Sequence, residues 1–259
     1  MGRGELALSI TVKLTRSVEI AEIAKTAGFD SIYIDLEHNS FSLDTASQIC
    51  MACLSANITP LVRVPRVAPD LIGRVLDGGA LGVIAPHIQS AQDARDVVEA
   101  AKYPPLGERS FTGSLPHLKY RSFPTSEVFE AMNEATLVVA MIESAQALEA
   151  VDDIAAVSGV DMLFVGTNDL CASLGIAGQL DHPLVRSAFA KVMQACARHG
   201  KHLGVGGLAA QPKLIEQYVQ LGARYVSTGT DLSFLLASAS SKAQQVRAVC
   251  AQPSSAPTH

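Results

Sequence analysis

Six side chains in this sequence could do chemistry together. Asp35, Glu37 and His38 lie in "SIYIDLEHNS", Arg63 in "PLVRVP", Glu143 in "VVAMIES" and Asp169 in "FVGTNDL". Each ends or directly follows an apolar run. Glu143 and Asp169 are two hard carboxylates with no Cys or His at ligand spacing, which favours Mg²⁺ or Mn²⁺ over structural zinc. Two protein carboxylates leave coordination positions for water and for a chelating 2-oxo acid. A metal there would act as a Lewis acid and stabilise an enolate, and Arg63 would add fixed positive charge to the same oxyanion. Histidine is the side chain whose ordinary titration range suits a proton relay, a role open to His38. The backbone N–H groups of "GTND", Gly166 to Asp169, fall at a helix start and could hold a carboxylate. Each residue also has a plainer reading: a first-turn acid for Glu143, a cap for Asp169, a surface pair for Arg63, a loop position for His38. Their common place at strand ends favours one site, and Asp231 falls near another such end.

Something must bring those ends together. Eight short β-rich runs recur: "LALSIT" (about 7–12), "SIYIDL", "TPLVRV", "GVIAP", "TLVVAMIE", "MLFVG", "HLGVGG" and "YVSTGT". Their unbroken apolar character predicts strands buried on both faces, as in a parallel sheet covered by helices. Helical patterns separate them. "APDLIGRVLDGG" carries Pro69 near its start and Gly78 at its end. "DHPLVRSAFAKVMQACARHG" offers Asp181 as N-cap, Pro183 in the first turn and Gly200 as terminator. "LDTASQICMACLSAN" and "ESAQALEAVDDIAAVSG" read as helices too. Eight β units with helices between them predict an α/β fold, a (β/α)8 TIM barrel, whose active site lies at the C-terminal strand ends. A doubly wound open sheet is the alternative, weakened by the lack of G-x-G-x-x-G after the first strand. One barrel domain over 1–250 and a disordered tail over 251–259 are expected. Residues 103–124, Pro- and Gly-rich, read as a long loop of the kind that is functional or disordered.

The bulk properties exclude several classes. The chain has 259 residues, 48% hydrophobic and 17% charged, enough for a large core. Its formal net charge is −5, and Lys119-Tyr120-Arg121 is too short a basic run for a nucleic-acid binder. No apolar stretch is long enough to span a membrane. The start shows no signal peptide, and Leu6 breaks the myristoylation pattern. A soluble cytoplasmic protein is the expectation. Cys50 and Cys53 form a C-x-x-C inside an apolar helical run with no second ligand pair, so they read as buried packing thiols.

"FDSIYIDLEH", "PLVRVP", "VLDGGALGVIAPHIQSAQDA", "YPPLGER", "MIES" and "GTNDL…LG…DHP" follow one another in an order and spacing that resemble the HpcH/HpaI family, the metal-dependent class II pyruvate aldolases. The resemblance runs from about residue 15 to 240. It implies that Glu143 and Asp169 bind a divalent metal, Mg²⁺ or Mn²⁺, with Co²⁺ or Zn²⁺ as alternatives. It implies that Arg63 steadies the pyruvate enolate, that His38 works with water in proton transfer, and that Asp35 lies close to that metal–water network. It places Asp77 in "VLDGG" as the partner of a catalytic His, reached only across a subunit contact, since Asp77 falls at a helix end on the opposite rim. A homo-oligomer, trimer or hexamer, is implied.

Departures from the family pattern touch the donor pocket and the aldehyde side. There is no Trp, where relatives often place one near Val12; Met141 stands where many carry Gln; and "GTNDL" replaces "GPADL" or "GPSDL", with Thr167 and Asn168 in the carboxylate pocket. The activity implied is a lyase: reversible aldol cleavage of a 4-hydroxy-2-oxo acid to pyruvate, or hydroxypyruvate, and an aldehyde. The alternatives on the same barrel are a citrate-lyase-like acyl-CoA lyase, a phosphoenolpyruvate- or oxaloacetate-handling enzyme, and a non-catalytic acid-binding barrel.

Overall fold

Residues 4–251 are described by a computed structural model. Eight strands, β1 (Ala7–Val12), β2 (Ser31–Asp35), β3 (Thr59–Arg63), β4 (Gly82–Ala85), β5 (Leu137–Ile142), β6 (Met162–Gly166), β7 (His202–Gly206) and β8 (Tyr225–Thr230), pair in parallel. They close into a barrel in sequence order, β8 returning to β1. The surrounding helices are α1 (Ile20–Thr26), α2 (Leu43–Ala56), α3 (Pro69–Asp77), α4 (Ala91–Ala101), α5 (Thr125–Ala135), α6 (Ala145–Glu149), α7 (Val151–Ala155), α8 (Thr167–Ser173), α9 (Pro183–His199), α10 (Pro212–Leu221) and α11 (Asp231–Ala251). The eight-stranded closed barrel bears out the expected fold, and no open sheet is formed. Residues 252–259 of the expected tail lie outside the described residues.

The period of two along each strand decides what reaches the mouth. Tyr33, Leu61, Ile84, Met141, Phe164 and Tyr225 fill the barrel interior, with Phe164 edge-on between the two tyrosine rings. Their neighbours, such as Ile32, Ile34, Val62 and Ile142, face the helices in the larger core. Counting two residues on from an interior position gives Asp35, Arg63 and Glu143, which therefore leave the strands pointing inward over the plug. Thr11, two positions before Lys13, meets Ser227 of β8 at 2.8 Å between hydroxyls.

Helix punctuation follows local chemistry with small corrections. Ser42 caps α2 through its hydroxyl, and Asn57 closes it in the left-handed region. Pro69 opens α3 and Gly78 ends it. The cap of α9 is His182, whose Nδ1 accepts the Leu184 N–H at 3.2 Å; Asp181, expected there, instead pairs with Arg186. The single helix expected over "ESAQALEAVDDIAAVSG" is two, α6 and α7, divided at Ala150. Cys50 and Cys53 are buried and unbridged on α2, as expected for packing thiols.

The 103–124 segment is not a free loop. Tyr103 and Leu115 pack with Val128 and Met132 of α5 in a satellite core, and Tyr103 stacks on Phe129. Lys102 donates to the carbonyls of Asn133, at 2.7 Å, and Thr136. Among the described residues no helix is long and apolar enough to cross a membrane.

Candidate active site

The strand ends enclose a cavity of about 350 Å³ whose wall includes Lys13, His38, Arg63, Gly166, Asn168 and Asp169. Its two sides differ in chemistry. On the β2–β3 side, Asp35 and Arg63 are register partners in the parallel ladder. Their side chains therefore leave the sheet side by side and meet in a two-pronged pair, Nε to Oδ1 at 2.9 Å and Nη2 to Oδ2 at 2.7 Å. Asp35 is fully buried, at 0% exposure. It also accepts the N–H groups of Glu37 and His38 and the ammonium of Lys13, at 3.0, 3.3 and 3.0 Å. Burial alone would raise the Asp35 carboxyl, but Arg63 and Lys13 outweigh it and hold its pKa at about 2. Burial likewise opposes the Arg63 charge, and Asp35, the stronger influence in sum with its neighbours, raises its pKa.

Arg63 further pairs with Glu37 through Nη1 at 2.8 Å and lies over the Tyr33 ring. Three of its five N–H donors go to carboxylates, leaving one on each terminal nitrogen. Asp35, expected close to a metal–water network, meets Arg63, Lys13 and the N–H groups of its own turn. The pair holds the guanidinium in one orientation. His38 follows in that turn, exposed on the cavity wall, its Nε2 3.8 Å from Glu37.

The β5–β6 side is the opposite. Glu143 leaves β5 buried, and its Oε1 accepts the backbone N–H of His87 at 2.7 Å. His87 follows β4 in a left-handed conformation, φ 59°, which is uncommon for a residue with a Cβ. Its ring links two strands' acids, Nδ1 to Glu143 at 3.2 Å and Nε2 to Glu37 at 2.8 Å. Burial raises the Glu143 pKa, and the nearby negative charges of Glu37 and Asp169 push the same way against His87. Glu143 Oε2 and both Asp169 carboxylate oxygens accept no hydrogen bond from the described residues. A Cβ on Gly166 would stand 2.9 Å from that Oε2, so the glycine leaves room for it at the end of β6. Thr167 donates its hydroxyl to Gly206 O at 2.7 Å, tying β6 to β7 beneath Asn168 and Asp169.

These residues fit a divalent cation. The two carboxylates repel each other, and three of their four oxygens have no donor among the described residues. Their hard oxygens suit Mg²⁺ or Mn²⁺. Among the described residues no group of three or more His, Cys, Asp or Glu is arranged to hold an ion, so water and substrate would complete the shell.

The HpcH/HpaI aldolase/citrate lyase family matches residues 14–238. The chain belongs to that family. A 4-hydroxy-4-methyl-2-oxoglutarate aldolase of Hapsidospora irregularis is 43% identical over 235 residues, 90% of this chain and 87% of that protein. A 5-keto-4-deoxy-D-glucarate aldolase of Escherichia coli O139:H28 is 34% identical over 211 residues, 82% of this chain and 81% of that protein. The crystal structure of an HpcH/HpaI aldolase from Desulfitobacterium hafniense DCB-2 superimposes with a TM-score of 0.87 at 31% identity, covering 99% of this chain and 97% of that one. The chain is thus a homologue of aldolases, which are carbon–carbon lyases.

Within this HpcH/HpaI chain, the structure brings Asp35, His38, Arg63, Glu143 and Asp169 to one mouth, with Gly166, Thr167 and Asn168 beside them. Asp77 is elsewhere. It ends α3, pairs with Arg109 and lines a separate groove along α3 and α4. Asp231 does not serve the site either: its carboxylate accepts the N–H groups of Lys13, Leu14 and Thr15, at 3.0, 3.0 and 2.7 Å. Two residues of the mouth were missed, Lys13 and His87. The rule that found the others, an ionisable group just past an apolar run, applies to both "SITVK" and "GVIAPH".

Proposed function

We propose that this protein catalyses the reversible aldol cleavage of a 4-hydroxy-2-oxo acid to pyruvate, or hydroxypyruvate, and a carbonyl product. The observation that carries the reading is the pairing of two under-coordinated carboxylates with a clamped guanidinium across one cavity. Glu143 and Asp169 would hold Mg²⁺ or Mn²⁺, with Co²⁺ or Zn²⁺ as substitutes, and the ion supplies Lewis acidity to the 2-oxo acid when bound. Gly166 to Asp169 form the floor on which the substrate carboxylate rests. His38, assisted by water, accepts the 4-hydroxyl proton. The C3–C4 bond then breaks, C4 becomes the carbonyl carbon, and the electron pair moves to the enolate. The two remaining N–H donors of Arg63 stabilise the enolate oxygen, fixed in place by Asp35 before the charge develops. Return of the proton to C3 gives the methyl group of pyruvate. Measuring pyruvate release tests this. Turnover should require added metal, stop with EDTA and vanish in Glu143→Ala. Turnover that survives both treatments would sink the metal assignment.

We also propose that the working form is a homo-oligomer, a trimer or hexamer. Leu232, Phe234, Leu235, Leu236, Val246 and Val249 of α11 are all exposed, an apolar surface that a second copy would cover. In such an assembly Asp77 could serve a neighbour's His. Light scattering on Leu235→Glu should show a smaller species than the unmodified protein.

A further inference from the structure

Lys13 is a cation at the mouth that the aldol reading leaves unused. It follows β1 with the inward parity of Ser9 and Thr11, and it lines the cavity. Its backbone is held: the consecutive N–H groups of Lys13, Leu14 and Thr15 all donate to Asp231, a carboxylate from the far end of the chain. The strand end therefore cannot drift, and the ammonium is aimed from a fixed base. That ammonium is 29% exposed and has one protein partner, Asp35 Oδ2 at 3.0 Å. An ammonium carries three donors, so two of them have no acceptor among the described residues, on a side chain that lines the cavity.

Asp35 does not need Lys13 for its own neutrality. Arg63 already grips both of its oxygens, and two backbone N–H groups reinforce Oδ1. Lys13 is thus a second positive charge placed on an acid already paired. The same oxygen, Asp35 Oδ2, receives Arg63 Nη2 at 2.7 Å. The ammonium and the guanidinium are therefore within two hydrogen-bond lengths of each other. If Arg63 holds the keto oxygen on C2, Lys13 stands within reach of groups attached a few bonds further along the substrate. Thr11 and Ser227 hydroxyls border it on the β1–β8 side. Among the described residues no carboxylate other than Asp35 is within ion-pair distance of Lys13.

We propose that Lys13 is a specificity-determining residue that receives a second carboxylate of the substrate, one carried on C4. The substrate is then a dicarboxylic 4-hydroxy-2-oxo acid, and the carbonyl product is itself an oxo acid. This rests on the aldolase reading above. A charge-assisted hydrogen bond to an ammonium in a partly dry cavity favours an anion there, and a plain alkyl or aryl substituent would leave those donors unmatched. Specificity of this kind comes from the penalty on the wrong ligand as much as from attraction to the right one.

The experiment compares two pairs of compounds in wild type, Lys13→Met and Lys13→Arg. Turnover is measured with 4-hydroxy-4-methyl-2-oxoglutarate and with 4-hydroxy-2-oxopentanoate, which lacks the second carboxylate. Binding is measured by calorimetry with 2-oxoglutarate and 2-oxopentanoate, in the presence of Mn²⁺. Lys13→Met should cut the wild-type preference for the dicarboxylate, in kcat/KM and in Kd, by about 10- to 100-fold, with the turnover loss mainly in KM. Lys13→Arg should restore most of the preference. A preference that stays the same while both substrates lose turnover equally would show that Lys13 only supports Asp35, and would overturn the proposal. A wild type that turns over neither substrate would defeat the aldolase reading. The binding pair would still judge Lys13, because equal affinity of wild type and Lys13→Met for 2-oxoglutarate rejects it without any turnover.

Discussion

The two sides of the barrel mouth are finished to different degrees. At β2–β3, every oxygen of Asp35 is satisfied and Arg63 is held by two acids, so the cation is fixed before any ligand arrives. At β5–β6, three oxygens of Glu143 and Asp169 accept no hydrogen bond from the described residues, and burial, then the charges of Glu37 and Asp169, raise the Glu143 pKa. The first side is an internal ion pair that stabilises the fold. The second stores unfavourable electrostatics that a bound cation would relieve. In the proposed mechanism preorganisation is thus divided: Arg63 would supply one positive charge to the oxyanion, and a bound cation would supply the other.

Substitutions on the two sides should have opposite signs in stability. Arg63→Leu leaves a buried carboxylate with only Lys13 as its cation. It should cost about 3 kcal/mol in urea unfolding and lower kcat by about 10²- to 10³-fold. Glu143→Gln keeps an oxygen for the His87 N–H and removes a charge that burial disfavours. In the absence of metal it should be neutral or stabilising by up to about 1 kcal/mol, while abolishing turnover. If both variants were destabilised alike, the contrast between the sides would be wrong.

Metal addition sharpens the same point. Mn²⁺ at 100 times its Kd should stabilise the wild type by about 2.7 kcal/mol, read as a rise in Tm, and should not stabilise Glu143→Gln. Acid tests the finished side. Asp35 has a folded pKa of about 2 against an ordinary value of 3.8. Its stabilisation is present above about pH 4 and is lost as pH falls from there toward 2, an effect on the order of 2 kcal/mol. Urea midpoints at pH 5 and pH 2.5 should therefore converge in Asp35→Asn relative to wild type. The smallest effect is expected at Gly166. Its replacement by Ala puts a Cβ 2.9 Å from Glu143 Oε2 and 3.1 Å from Met141 Cε. Glu143 must swing aside, and the metal concentration needed for half-maximal activity should rise about 5-fold.

Much of this was legible because strands obey a short period. Asp35, Arg63 and Glu143 each stand two residues past an interior side chain, Tyr33, Leu61 and Met141, so their direction follows from counting. The β runs fall within a residue or two of the observed strands for the same reason. What could not be counted was what each group meets. Asp35 reads as an ionisable group at a strand end, and only its register with Arg63 shows that the two are paired. Asp231 reads as a rim acid until the N–H groups of residues 13–15 arrive from the other end of the chain. His87 joins acids from β2 and β5 while itself following β4, a three-strand contact with no local signature. The 103–124 segment reads as a loop because its order comes from aromatic packing on α5.

The sequence by itself determined the alternation of parallel strands and helices, the parity of the strands and most of the ionisable groups delivered to one rim. These depend on local periodicity and on a handful of motifs in fixed order. Only the tertiary structure decided which of those charges neutralise one another and which remain unmatched. That division depends on distances of about 3 Å between residues far apart in the chain. It is what separates Asp35, whose oxygens both have partners, from Glu143 and Asp169, three of whose oxygens accept no hydrogen bond from the described residues.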